Sequence, residues 1–219
     1  MDIDAMIRYI PLYVEAAKLT ITLGGLGIVL SILVGFICSL IRHYKLPIAK
    51  QIVEVYIELS RNTPLLIQLF FLYYGLPKLG IKLSAEACGI VGLTFLGGSY
   101  MAEAFRGGFE AVSRTQIESG MSIGLNEWQL IRYVILPQAF AISVPAIGAN
   151  IIFLLKETSI FSAVALADLM FVAKDLIGMY YKTDEALFLL VIAYLIILLP
   201  LSLLFSWIER RVRYAGFGH

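Results

Sequence analysis

The stretch LTITLGGLGIVLSILVGFICSLI, residues 19–41, contains no charged side chain. A helix needs about 20 consecutive apolar residues to cross a bilayer, and this run meets that length alone. Residues 187–208 form a second uncharged run of the same kind. Residues 63–77 and 87–102 are uncharged but short. Each is expected to gain length from its polar flank, backwards through 57–61 and forwards through 103–109. A fifth apolar tract covers 139–167, interrupted by Lys156, Glu157 and hydroxyl residues. The economical reading is an all-α integral membrane protein with about five transmembrane helices, in one domain covering residues 1–219.

Composition agrees. The chain is 60% apolar and 15% charged, with a mean hydropathy of +0.86, against about 25% charged residues in soluble domains. Lipid is the solvent that tolerates such a surface. A net charge of +1 argues against nucleic acid as a partner, since a reader of phosphates needs a basic face. Cys38 and Cys88 sit in apolar runs and read as small buried hydrophobes. The acidic start, Met1-Asp-Ile-Asp4, does not resemble a cleaved signal. No metal-ligand spacing or nucleophile–base set is visible, and the two histidines, His43 and His219, lie at an apolar run's edge and at the terminus. The chain does not read as an enzyme.

Charge sets the orientation. One set of connections carries Arg42, Lys45, Lys50, Arg106, Arg114, Arg132, Arg210, Arg211 and Arg213. The other carries Arg8, Lys78, Lys82, Lys174 and Lys182, several beside acids. The first set is cytoplasmic, which puts the N-terminus outside and the C-terminus inside.

Residues 113–137 fall on the cytoplasmic side and are too well punctuated for a plain connector; the alternative on the residues alone is an interfacial amphipathic hairpin. Ser113-Arg-Thr-Gln116 has the form of a capping box, and a short helix follows through Glu118, Met121 and Ser122. Gly124 suits a helix end. Asn126-Glu-Trp-Gln129 opens a second helix through Leu130 and Val134, which Pro137 is expected to end.

The stretch Glu118-Ser-Gly-Met-Ser-Ile-Gly124, followed by Val134-Ile-Leu-Pro137-Gln-Ala139, resembles the EAA loop of ABC importer membrane subunits. Ser119 and Gly120 replace the alanines of that motif, and Val134 replaces its isoleucine. Arg61-Asn-Thr-Pro-Leu-Leu-Ile-Gln68, Tyr73-Tyr-Gly-Leu-Pro77, Tyr100-Met-Ala-Glu103 and Leu155-Lys-Glu-Thr-Ser159 extend the likeness over most of the chain. Together they resemble the polar amino acid permeases of the histidine/glutamine/arginine type.

The resemblance implies a permease subunit whose 113–137 loop couples to a separate ATPase through Glu118, Gly120, Ser122, Gly124 and Pro137. It implies no cofactor on this chain, with ATP and Mg held by two copies of the ATP-binding subunit; the chain has no Gly-Lys pair of a phosphate-binding loop. It further implies a second permease subunit, identical or homologous, an extracytoplasmic amino-acid-binding receptor, and a place in the cell membrane.

Ionisable residues within a span mark candidate sites. Ser143, Asn150 and Glu157 are seven apart and share a helix face, so Glu157, Asn150, Ser143 and Lys156 are the substrate-binding candidates; Lys156 and Glu157 alternatively pair with other charges or the outer interface. Ser99, Glu103 and Arg106 share another face, and Glu103 and Arg106 are placed to pair. Arg61, Pro64, Glu103 and Arg106 are structural or gating. Asp168 and the amphipathic residues 169–177 lie on the outer side, against a receptor or flat on the membrane.

Overall fold

The computed structural model describes residues 2–44 and 46–217, with side chains as far as 212. Lys45 and His219, and the side chain of Arg213, which entered the charge reading, lie outside the described residues. Among those described there is helix and no strand.

Helix α1 (Ile3–His43) is 41 residues long, about 60 Å at 1.5 Å per residue and so roughly twice the hydrocarbon thickness of a bilayer. Asp2 caps it by accepting the Ala5 N–H at 3.0 Å. Helix α2 (Pro47–Arg61) is strongly amphipathic and buries Val53, Ile57 and Ser60. Helix α3 (Leu65–Phe70) runs on through a π turn, Phe71–Gly75, and a 3₁₀ turn, Leu76–Leu79. Then come α4 (Ala85–Ala111), α5 (Arg114–Ser122) and α6 (Glu127–Leu130). A π turn, Ile131–Ile135, leads from α6 into α7 (Leu136–Glu157), and a 3₁₀ segment, Thr158–Val164, follows it. Helices α8 (Leu169–Tyr180) and α9 (Thr183–Phe217) complete the chain.

Four helical stretches are long and apolar enough to cross a membrane: Ile3–His43, Ala85–Ala111, Glu127–Val164 and Thr183–Val212. The apolar stretch Leu65–Leu79 is shorter. The expected backward extension of that stretch through residues 57–61 does not form one continuous helix, because Asn62–Pro64 separates α2 from α3. Pro64 has no N–H to continue the ladder and holds extended backbone (φ −59°, ψ 143°). Gln68 bridges the break, its Nε2 donating to the carbonyls of Ser60 at 3.1 Å and Thr63 at 3.0 Å. The forward extension of 87–102 does form, since α4 runs to Ala111.

Pro137 does not end its helix either. The chain stays helical from Glu127 to Val164, and the π turn just before Pro137 widens the backbone where its ring would meet a carbonyl one turn back.

Helix α4 is the centre of the bundle. Of its most apolar window 61% is buried, against 11% for α9 at the periphery. Glycines set the crossings. A Cβ on Gly35 of α1 would stand 2.7 Å from the Ala102 backbone nitrogen, and Gly97 and Gly108 of α4 abut Ser31 and the Ser143–Ala139 turn in the same way. Small residues let helix backbones approach where lipid supplies no hydrophobic drive between helices. Around these crossings Leu65, Leu69, Leu93, Phe105, Leu154 and Phe161 form the main core. A second cluster joins Tyr13 and Ala16 of α1 to α8 and α9, and the Tyr13 hydroxyl donates to the Ala186 carbonyl at 2.7 Å.

Candidate functional site: an exposed elbow and the buried charges behind it

The segment between α4 and α7 is ordered by its own hydrogen bonds. Ser113 turns the chain out of α4 with extended backbone, and its hydroxyl accepts the Gln116 N–H at 3.4 Å. At the other end of α5, Gly124 takes φ +84°. Its N–H donates to the Met121 carbonyl at 2.9 Å, while the Leu125 N–H reaches the Gly120 carbonyl at 3.1 Å. That pair of bonds is a Schellman stop, which needs a left-handed residue and so favours glycine. Asn126 and Gln129 then cap α6 reciprocally: Asn126 Oδ1 accepts the Gln129 N–H at 2.9 Å, and Gln129 Oε1 accepts the Asn126 N–H at 3.0 Å. The full capping box thus lies at Asn126.

What the elbow presents follows from this backbone. Gly120 is buried, and a Cβ there would press on Leu130 at 2.6 Å. Glu118 and Ser122 are exposed, and the Ser122 hydroxyl donates to the Glu118 carbonyl at 2.8 Å. Met121, Ile123 and Trp128 are all more than half exposed. Pro137 lies in the first turn of α7, at the far end of the 113–137 segment and behind the π turn.

Behind the elbow three helices converge on Glu103. Arg42 of α1 donates to its Oε1. Arg106 reaches its Oε2 with Nε at 3.0 Å and Nη2 at 2.6 Å, and holds Glu110 with Nη1 at 2.6 Å. Arg61 of α2 approaches Glu103 at 4.0 Å and lies over the Tyr100 ring, 5.3 Å from its centroid. The Glu103–Arg106 pair is legible from the sequence, whereas Arg42 entered there only as a marker of the inner face. Its position directly after the uncharged run 19–41 is the signal that puts it level with Glu103. Next to this cluster is a cavity of about 220 Å³ lined by Ser39, Arg42, His43, Lys50, Glu54 and Arg106 among others.

The α7 candidates are dispersed along their helix. Ser143 is buried against Gly108 and donates to the Ala139 carbonyl at 2.8 Å. Asn150 Nδ2 donates across to the Tyr100 carbonyl of α4 at 3.1 Å. Glu157, half-buried, ends α7, and Lys156 beside it is exposed. Among the described residues neither forms an ion pair.

The fold and these features define a polytopic, all-helical membrane subunit with an ordered elbow outside its core. A model of the binding-protein-dependent transport system inner membrane component matches residues 27–214, and the chain belongs to that family. It is a multi-pass inner-membrane permease subunit of an ABC transporter. Over 217 residues it is 31% identical to the probable amino-acid ABC transporter permease protein PatM of Vibrio harveyi, covering 98% of this chain and 97% of that one. It is likewise 31% identical over 214 residues to the glutamine transport system permease protein GlnP of Escherichia coli K12, covering 97% and 98%. A crystal structure of an amino acid ABC transporter with histidines superposes with a TM-score of 0.90 at 33% identity, over 96% of this chain and 99% of that one.

Proposed function

We propose that this permease subunit imports a polar amino acid and is driven by an ATP-binding subunit that seats the 113–137 elbow. The observation that carries the reading is the elbow itself: a helix–glycine–helix unit, capped by its own residues, with Glu118, Met121, Ile123 and Trp128 exposed. A rigid joint transmits motion, and nucleotide-driven closure of two ATPases would rock the helices as bodies. Gly120 supports the joint from within by letting α5 rest on Leu130.

In this reading α2 and α3 together supply a fifth crossing around the Pro64 break, and the basic connections face the cytoplasm, with the N-terminus outside. Two permease subunits frame one pathway, and a receptor delivers substrate at the outer face. Relatives with amino-acid and glutamine permease names support the substrate class. Glu157 is the partner for the substrate ammonium and Asn150 an amide donor for its carboxylate, with Lys156 and Ser143 as neighbours on α7. Glu103 with Arg42, Arg61 and Arg106 ties α1, α2 and α4 at the inner side, where Pro64 sets the angle between α2 and α3.

The test is ATP-driven uptake of labelled polar amino acids by the complex in proteoliposomes. Glu157→Gln is expected to lower substrate-stimulated ATP hydrolysis by about tenfold, the scale of one charge-assisted hydrogen bond. An unaltered response removes Glu157 from the pathway.

A further inference from the structure

Among the described residues four buried side-chain oxygens lack a hydrogen-bond partner, and three of them are Thr20 Oγ1, Asp168 Oδ2 and Tyr194 Oη. These three belong to α1, the start of α8 and α9, which pack on one another, with α8 also packed on the 3₁₀ segment Thr158–Val164. Tyr194 lies within electrostatic reach of Asp168 and beside the hydroxyls of Thr158 and Ser159. Thr20 sits one turn from Ala16, in the cluster that holds Leu169, and one turn from Gly24, which abuts Thr158. Asp168 itself is completely buried. Its Oδ1 already caps α8, accepting the Phe171 N–H at 2.9 Å.

A cap alone explains one oxygen and leaves the other buried without a donor. An ionised carboxylate is disfavoured in that position, whereas a protonated one keeps its cap through Oδ1 and carries no charge at Oδ2. The charges nearby do not replace the missing donor. Lys174 on α8 is the cation that favours the ionised form, without an ion pair to Asp168. On α1, Glu15 and Lys18 pair with each other at the surface. On α9, Glu185 accepts the Asp2 N–H, and Lys156 and Glu157 lie beyond the 3₁₀ segment at the end of α7.

We propose that the Asp168 carboxyl is a proton-binding site, held neutral in this packing within electrostatic reach of the Tyr194 hydroxyl, and that release of the proton to water loosens α8 from α1 and α9. Burial independently pushes this carboxyl up to about 6 from 3.8, against the pull of the Phe171 and Met170 N–H groups and Lys174.

The experiment uses the full chain in lipid nanodiscs. The infrared band of a protonated carboxyl is recorded across pH about 4 to 8, spanning the usual carboxylate range and above, in wild type and Asp168→Asn. Hydrogen exchange of the α8 amides is followed at each pH. Asparagine keeps the N-cap and cannot titrate. The expected result is one acid band, absent from D168N and lost near pH 6, with α8 exchange in wild type rising about tenfold over D168N at the same pH as the band disappears. Tyr194→Phe, which leaves carboxyl and cap in place, is expected to shift the band. No acid band assignable to Asp168, exchange equal in the two proteins at every pH, or a band unmoved in Y194F overturns the proposal.

Discussion

Helix α4 and the elbow that follows it, joined through Val112 and Ser113, use glycine in opposite ways. In α4 the glycines are points of contact: Gly97 and Gly108 exist so that Ser31 of α1 and the Ser143 turn of α7 come against the backbone. In the elbow a Cβ on Gly124 would meet nothing within 4 Å, and its role is the φ of +84° that stops α5. The first use builds the bundle; the second shapes a surface that stands away from it. Stability therefore depends on α4, and the elbow is free to serve a contact.

That contrast gives a ranked set of expectations. Gly108→Leu is expected to have the largest effect, because overpacking at a backbone crossing costs about 1–3 kcal/mol or more; little folded protein should survive size-exclusion in detergent. Gly107→Ala, one residue away and facing open space, is the matched control and leaves the elution profile unchanged. Glu103→Gln comes next. It leaves Arg42 without a carboxylate and Arg106 with Glu110 alone, in a cluster with side chains about one-fifth to one-third exposed, which is expected to cost roughly 1–3 kcal/mol, read as a fall in thermal midpoint. Asn126→Ala removes one exposed cap and is expected to cost about 1 kcal/mol or less, seen as faster local exchange in residues 127–130 rather than a lower global midpoint. If N126A were as damaging as G108L, the elbow would be part of the core and the contrast would fail.

Much of this contrast was legible from sequence, for physical reasons. Uncharged runs at 19–41 and 187–208 leave no alternative to membrane helices, and the caps at Ser113, Gly124 and Asn126 are local signals carried within four residues. The α2–α3 break was partly visible in Pro64, yet whether a proline breaks or merely starts a helix depends on Gln68 reaching back to Ser60 and Thr63. Pro137 misled for the mirror reason: a π turn absorbed it. The Gly27, Ser31 and Gly35 series of α1 gave no signal, since small residues in an apolar run gain meaning only from the helix they meet. Arg42 was not legible as a partner of Glu103 because the pairing joins residues distant in the chain.

The most direct measurement is co-purification of the ATP-binding subunit with Glu118→Trp, alongside ATP-dependent uptake and the thermal midpoint of the permease. The account predicts that the partner is lost and uptake abolished while the midpoint stays within about 2 °C of wild type, the shift expected of an exposed substitution. A variant that still retains the ATPase and transports at the wild-type rate would contradict the assignment of the 113–137 elbow as the point where ATP drives this permease.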